Sequence, residues 1–285
     1  MRLLLFLFIL LISCLIGLAI SMIAVFAGDK DMKISQGILS IMMFMVPPVV
    51  YYYITRKKKP MRTLGFRRMK QPWLYLLIGA TLMFVSLPIT NQLANWNKAM
   101  ELGPALSKLE EFIKSLEETA EAATEQLLKA DTIWGLLLNL IIIALIPAIG
   151  EELTFRGLLQ QSLTRRIKNP HIAILIASAI FSFIHFQFYG FLPRMFLGIL
   201  LGYLFYTSGS LLPNILMHFL NNGSVVVLYY LNNKGILNID AEHFGETNNV
   251  WILVASALLT IGLIVWCWVT NQPQKDPNRN KSGLY

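Results

Sequence analysis

Two adjacent carboxylates, Glu151 and Glu152, follow an apolar run from Ile133 to Gly150 that contains no charged residue. An ionised side chain at membrane depth costs about 2.5–3.5 kcal/mol on insertion scales, so intramembrane acids are paired and tend to mark function. Arg156 stands four residues after Glu152, the spacing and order that let an acid and a base share one helix face. Glu151, turned by about 100° from that pair, is free to point into a cavity. Further along, Phe181 and His185 are four apart, and so are His218 and Asn222, each pair on one helix face.

One glutamate, two histidines and an asparagine suit hydrolysis of an amide or ester. Glu151 would take a proton from a water also held by His185, while His218 and the Asn222 amide would donate hydrogen bonds to the developing oxyanion. No side-chain nucleophile is required. Alternatively, His185, His218 and Glu151 bind zinc as a His2Glu set, with the second glutamate as general base. Asn222 is a poor zinc ligand, which favours the metal-free version, and no other cofactor is indicated. Taken singly, each residue has a structural reading too, because a lone intramembrane histidine or an acid–arginine pair can simply join helices.

These side chains need elements to hold them. The chain is 55% hydrophobic and only 14% charged over 285 residues, which excludes a soluble globule. Apolar runs recur at 3–27, 35–54, 73–90, 133–150, 171–189, 194–206, 211–231 and 250–270, most near the roughly 20 residues that cross a bilayer core. The expected fold is all-α: a polytopic transmembrane helical bundle of about eight spans, with one amphipathic extramembrane helix. The first run is longer than a signal-peptide core of 7–15 residues and reads as an uncleaved span. If a helix over 136–164 continues past Pro147 and turns at 165–170, Glu151 and His185 both lie about 21 Å from that turn and can meet.

With both termini inside, 16 of the 24 lysines and arginines fall on inner segments, including the basic stretch from Arg56 to Lys70, which places both termini in the cytoplasm of a multi-pass cell-membrane protein. The net charge of +8 is then topological, a membrane anchor rather than a nucleic-acid surface. The polar excursion of 91–131 faces outward, and its apolar residues from Leu106 to Leu127 recur at three and four, as in an amphipathic helix with an acidic face resting on the protein or the bilayer. Cys14 and Cys267 read as core hydrophobes. His171 and His243 read as surface residues, and Tyr51, Tyr52, Tyr53 and Trp73 as interfacial aromatics. The tail from Gln272 has the composition of a disordered segment.

The ordered set Glu151-Glu152-x-x-x-Arg156, Phe181-x-x-x-His185 and His218-x-x-x-Asn222 on successive apolar helices resembles the CPBP group of intramembrane proteases, which includes the type II CAAX prenyl endopeptidase and bacterial Abi-type and bacteriocin-processing relatives. The resemblance covers about 133–231, the expected catalytic core. It leaves 1–132 as N-terminal spans with the acidic helix and 232–285 as a last loop, final span and tail. It implies an intramembrane endopeptidase in which Glu151 and His185 activate water and His218 and Asn222 form the oxyanion pair. Glu152, Arg156 and Phe181 then support the site. The expected substrate is a peptide or membrane protein in the bilayer, with no nucleic acid involved. The competing expectation is a non-catalytic scaffold or immunity protein, or a proton-coupled transporter using the same residues. Against a transporter, no second copy of the polar motif stands in the other half of the chain.

Overall fold

A computed structural model describes residues 2–29, 32–56, 60–238 and 244–270. The basic run at 57–59, His243 and the tail from Gln272 lie outside the described residues. Among the described residues every regular element is a helix, as a chain in lipid requires, since each backbone donor and acceptor there must be satisfied internally.

Among the described residues, five helices are long and apolar enough to cross a membrane: Leu3–Phe26, Lys33–Thr55, Ile133–Ile167, Phe191–Ser208 and Val250–Thr270. The pair α5 (Pro72–Val85) and α6 (Leu87–Lys98), bent by 45° at Ser86, makes a sixth candidate when counted as one broken span, so the described residues hold five or six candidates against the eight spans expected. The remaining two apolar runs form α11 (Pro170–Phe183), apolar but short, and α13 (Leu212–Asn233), which carries His218 and Asn222. The expected run at 171–189 stops early. Helix α11 ends at Phe183, and a non-helical stretch leads to α12 (Phe191–Ser208), so the run expected over 194–206 is a full helix.

Two of the long helices contain prolines and carry π-helical turns just ahead of them. Proline lacks an N–H and its ring crowds the carbonyl four residues back. The helix that begins with α2 (Lys33–Ser40) widens over Ile41–Met45 before Pro47 and Pro48, in α3 (Val46–Arg56). That of Ile133–Ile167 widens over Leu140–Leu145 before Pro147, in α9 (Ile146–Glu152). At these places the Val46 N–H bonds Ile41 O and the Ile146 N–H bonds Ile141 O, five residues back. A further π-helical stretch, Leu153–Gln160, starts directly after Glu152.

The loops sort to two ends. At one, α4 (Pro60–Leu64) and Gly65 pack on the turns around 165–170 and 208–211: Leu211 N–H bonds Gly65 O, Arg67 Nη2 bonds Gln161 Oε1, and the Tyr75 hydroxyl bonds Thr207 O. Helix α1 (Arg2–Phe26) begins at this end, with Phe6 against Tyr51, and α14 (Val250–Thr270) finishes here, with Trp268 against His171 and Tyr206. At the other end, Asn91 Nδ2 bonds Phe244 O and the Lys33 ammonium bonds Lys129 O. Here also lies α7 (Ser107–Leu128), the acidic amphipathic helix, whose Glu117 accepts a hydrogen bond from Tyr189 N–H.

The core between the ends is apolar. Leu82, Leu200, Leu201, Leu204 and Met217 pack α5, α12 and α13 together, with Cys267 of α14 against them. Both Cys14 and Cys267 are free thiols. Of the expected interfacial aromatics, Tyr53 and Trp73 are exposed, but Tyr52 is buried in a second cluster, its hydroxyl accepting from Arg165 Nη2. His171 is on the surface, bonded to the Tyr203 hydroxyl. Small residues allow close approach: a Cβ on Gly157 would lie 2.6 Å from the Leu64 carbonyl oxygen, and one on Gly198 would lie 2.9 Å from Ser178 Cβ.

Candidate functional site

Glu152 is fully buried in the helical stretch of Ile133–Ile167, where its carboxylate is surrounded by donors. Arg156 Nη1 donates to Oε1 at 2.7 Å, His218 Nδ1 meets the same oxygen at 3.0 Å, and Asn214 Nδ2 donates to Oε2 at 3.1 Å. Arg156 is itself buried and spends its second nitrogen on Gly198 O at 3.0 Å, tying the pair to α12. An acid and a base this deep are tolerable only with such full pairing.

Glu151 faces elsewhere, as its rotation from Glu152 predicts. Its Oε2 lies 3.6 Å from His218 Nε2, so one imidazole stands between the two carboxylates. Because a carboxylate can only accept, Glu152 fixes the His218 tautomer with a proton on Nδ1 and leaves Nε2 on the Glu151 side.

Phe181 connects the second histidine. Its ring, buried in α11, makes edge contacts with His218 (centroids 6.0 Å) and His185 (5.2 Å), and Arg156 stacks over it at 4.8 Å. His185 lies just past the end of α11, in the stretch that joins it to α12. Its Nδ1 bonds Phe181 O at 2.8 Å; a carbonyl can only accept, so Nδ1 carries the proton and Nε2 is left with a lone pair. No direct hydrogen bond joins His185 to Glu151 among the described residues; the two are linked through Phe181, which touches both His185 and His218, and through His218 beside Glu151. The non-helical backbone around His185 is satisfied by protein groups: Ser182 Oγ bonds Phe191 O, Leu192 N–H bonds Asn97 Oδ1, and Tyr189 N–H bonds Glu117.

Asn222 lies one turn beyond His218 on α13 and is half-buried. Its Oδ1 accepts from Asn221 Nδ2 at 3.1 Å, which leaves its own amide N–H groups to donate. The sequence reading missed Asn214, although Asn214, His218 and Asn222 repeat at four residues on one face; it is the third ligand of the Glu152 carboxylate. It also missed Gln160, whose amide bonds Gly202 O and continues the Arg156 line of contacts to α12.

The proposed zinc set of His185, His218 and Glu151 does not fit a metal in this arrangement. Among the described residues, no three histidines, cysteines or acids are placed to hold an ion. No catalytic step is therefore routed through a metal here.

Residues 133–224 match the family described as type II CAAX prenyl endopeptidase Rce1-like. No curated protein and no solved structure matches the chain. The matched stretch is about a third of the sequence and contains every residue of the polar cluster from Glu151 to Asn222. The resemblance read from the motifs is met over this segment: residues 133–224 of a multi-pass membrane protein are similar to the Rce1-like type II CAAX prenyl endopeptidases.

Proposed function

We propose that the protein is an intramembrane endopeptidase that hydrolyses a peptide bond with water activated by Glu151 and His185. The observation that carries this reading is the Glu151–His218–Glu152 line: one acid held by three donors, one imidazole locked by it, and a second acid left unpaired by any arginine and facing the open imidazole nitrogen.

In the reaction, Glu151 accepts a proton from water while the His185 Nε2 lone pair holds the same water. The hydroxide attacks the peptide carbonyl carbon, and the charge that develops on its oxygen is met by the Asn222 amide and by His218 Nε2–H. That role requires His218 to carry a proton on Nε2 as well as on Nδ1. Glu151 then returns its proton to the amine as the C–N bond breaks. Glu152, Arg156 and Asn214 touch no reacting atom; they position His218.

The basic end of the bundle is assigned to the cytoplasm by its excess of lysine and arginine, with both termini on that side. The test of the reading is cleavage of a fluorogenic peptide library by detergent-solubilised protein. Cleavage that disappears in Glu151→Gln and His218→Ala, with both variants still folded, supports it. Equal cleavage by these variants and the parent overturns it.

A further inference from the structure

Helix α7 turns its apolar stripe away from the rest of the protein. Leu109, Phe112 and Leu116, at i, i+3 and i+7, share one face and are 47%, 59% and 40% exposed. The edge that meets the bundle is the acidic one beside them. Glu117 is half-buried and accepts from Tyr189 N–H at 3.3 Å, and Glu110, paired with Lys114 at 2.8 Å, accepts from Leu102 N–H. Opposite the stripe stand Glu111, Glu118 and Glu125, seven apart and all exposed. A contiguous apolar surface that the fold leaves unburied marks a protein or a membrane partner.

The ties of α7 decide between the two. At its C-terminal end the Lys33 ammonium donates to Lys129 O at 2.6 Å and Asn139 Nδ2 to Leu128 O at 2.9 Å. Lys33 opens the span Lys33–Thr55, and Asn139 stands six residues, about 9 Å, along the span Ile133–Ile167. The end of α7 is therefore sunk beside the spans. Its middle is held by Tyr189, two residues before the span Phe191–Ser208 begins. The helix thus runs along the end of the bundle at the level where spans start. Exposed indoles mark that level: Trp96 near the end of α6, Trp134 at the start of Ile133–Ile167 and Trp251 at the start of α14. The medium around the protein there is lipid.

We propose that α7 is an interfacial helix whose Leu109, Phe112 and Leu116 enter the lipid leaflet at its end of the bundle, its partner being the bilayer itself. The stripe sits about 5–10 Å into the headgroup boundary, with Glu111, Glu118 and Glu125 facing water. Through Glu117 and Tyr189 the same helix ties the His185 stretch to the membrane surface. The assignment needs only the membrane-spanning helices and stands apart from the peptidase reading.

The test uses the full chain in phosphatidylcholine vesicles, a lipid without net charge, because α7 carries six acids against two lysines. In a background with Cys14→Ser and Cys267→Ala, single substitutions Glu111→Cys, Phe112→Cys, Leu116→Cys and Glu118→Cys each carry a nitroxide. Its collisions with oxygen, which concentrates in lipid, are compared with those with a water-soluble nickel chelate. All four native side chains are exposed, so the labels read position and not folding. The oxygen-to-nickel ratio should be severalfold higher for Phe112→Cys and Leu116→Cys than for Glu111→Cys and Glu118→Cys. Equal ratios at all four, with nickel reaching each, would put the stripe in water and overturn the proposal. Shielding of the Phe112 and Leu116 positions from oxygen and nickel alike would put a protein on the stripe, a second copy or another chain, and would overturn it too.

Discussion

At the residue scale the two neighbouring glutamates should behave as different kinds of residue. Glu151→Gln keeps shape and removes the base, so kcat should fall by about 10²–10⁴ with little change in thermal unfolding of the detergent-solubilised protein. Glu152→Gln should do the reverse of sparing stability: it leaves Arg156 buried without its carboxylate, a loss of about 3–5 kcal/mol, seen as a large drop in melting temperature. Equal melting temperatures for the two variants would contradict the assigned roles. The pairing of Glu152 with Arg156 was legible in sequence because four-residue spacing on a helix is a local property. The contact of Glu152 with His218 and Asn214 was not, since it joins residues 62 and 66 positions apart through the packing of α13.

At the element scale, the site depends on α11 and α12 lying close enough to carry the His185 stretch between them. Gly198 meets Ser178 there, and its carbonyl accepts from Arg156. Gly198→Val should force the helices apart at an overpacking cost of about 1–3 kcal/mol, lowering both melting temperature and turnover; unchanged values would show that the contact is slack. The long helix around Glu151 was readable from its apolar run, and the condition that it run on past Pro147 is met. The π-helical turns that let the proline pass were not, because hydropathy carries no record of hydrogen-bond register. For the same reason the run over 171–189 reads as one span, while the helix ends at Phe183, where Ser182 turns its hydroxyl to Phe191 O.

At the scale of the whole molecule, the separation of the loops predicts sidedness. In a background with Cys14→Ser and Cys267→Ala, Arg68→Cys and Glu118→Cys should label from opposite faces of sealed membranes with an impermeant maleimide, Glu118→Cys from outside. Labelling of both from one face would contradict the two-ended arrangement. The all-helical bundle and its apolar runs were visible in composition alone, since lipid admits few other folds for such a chain. The measurement that bears most directly on the central claim is peptide cleavage by the purified protein compared with Glu151→Gln and His218→Ala, each with and without chelator. The account predicts cleavage by the parent alone, unaffected by chelator. Cleavage retained in Glu151→Gln, or abolished in the parent by chelator, would contradict it.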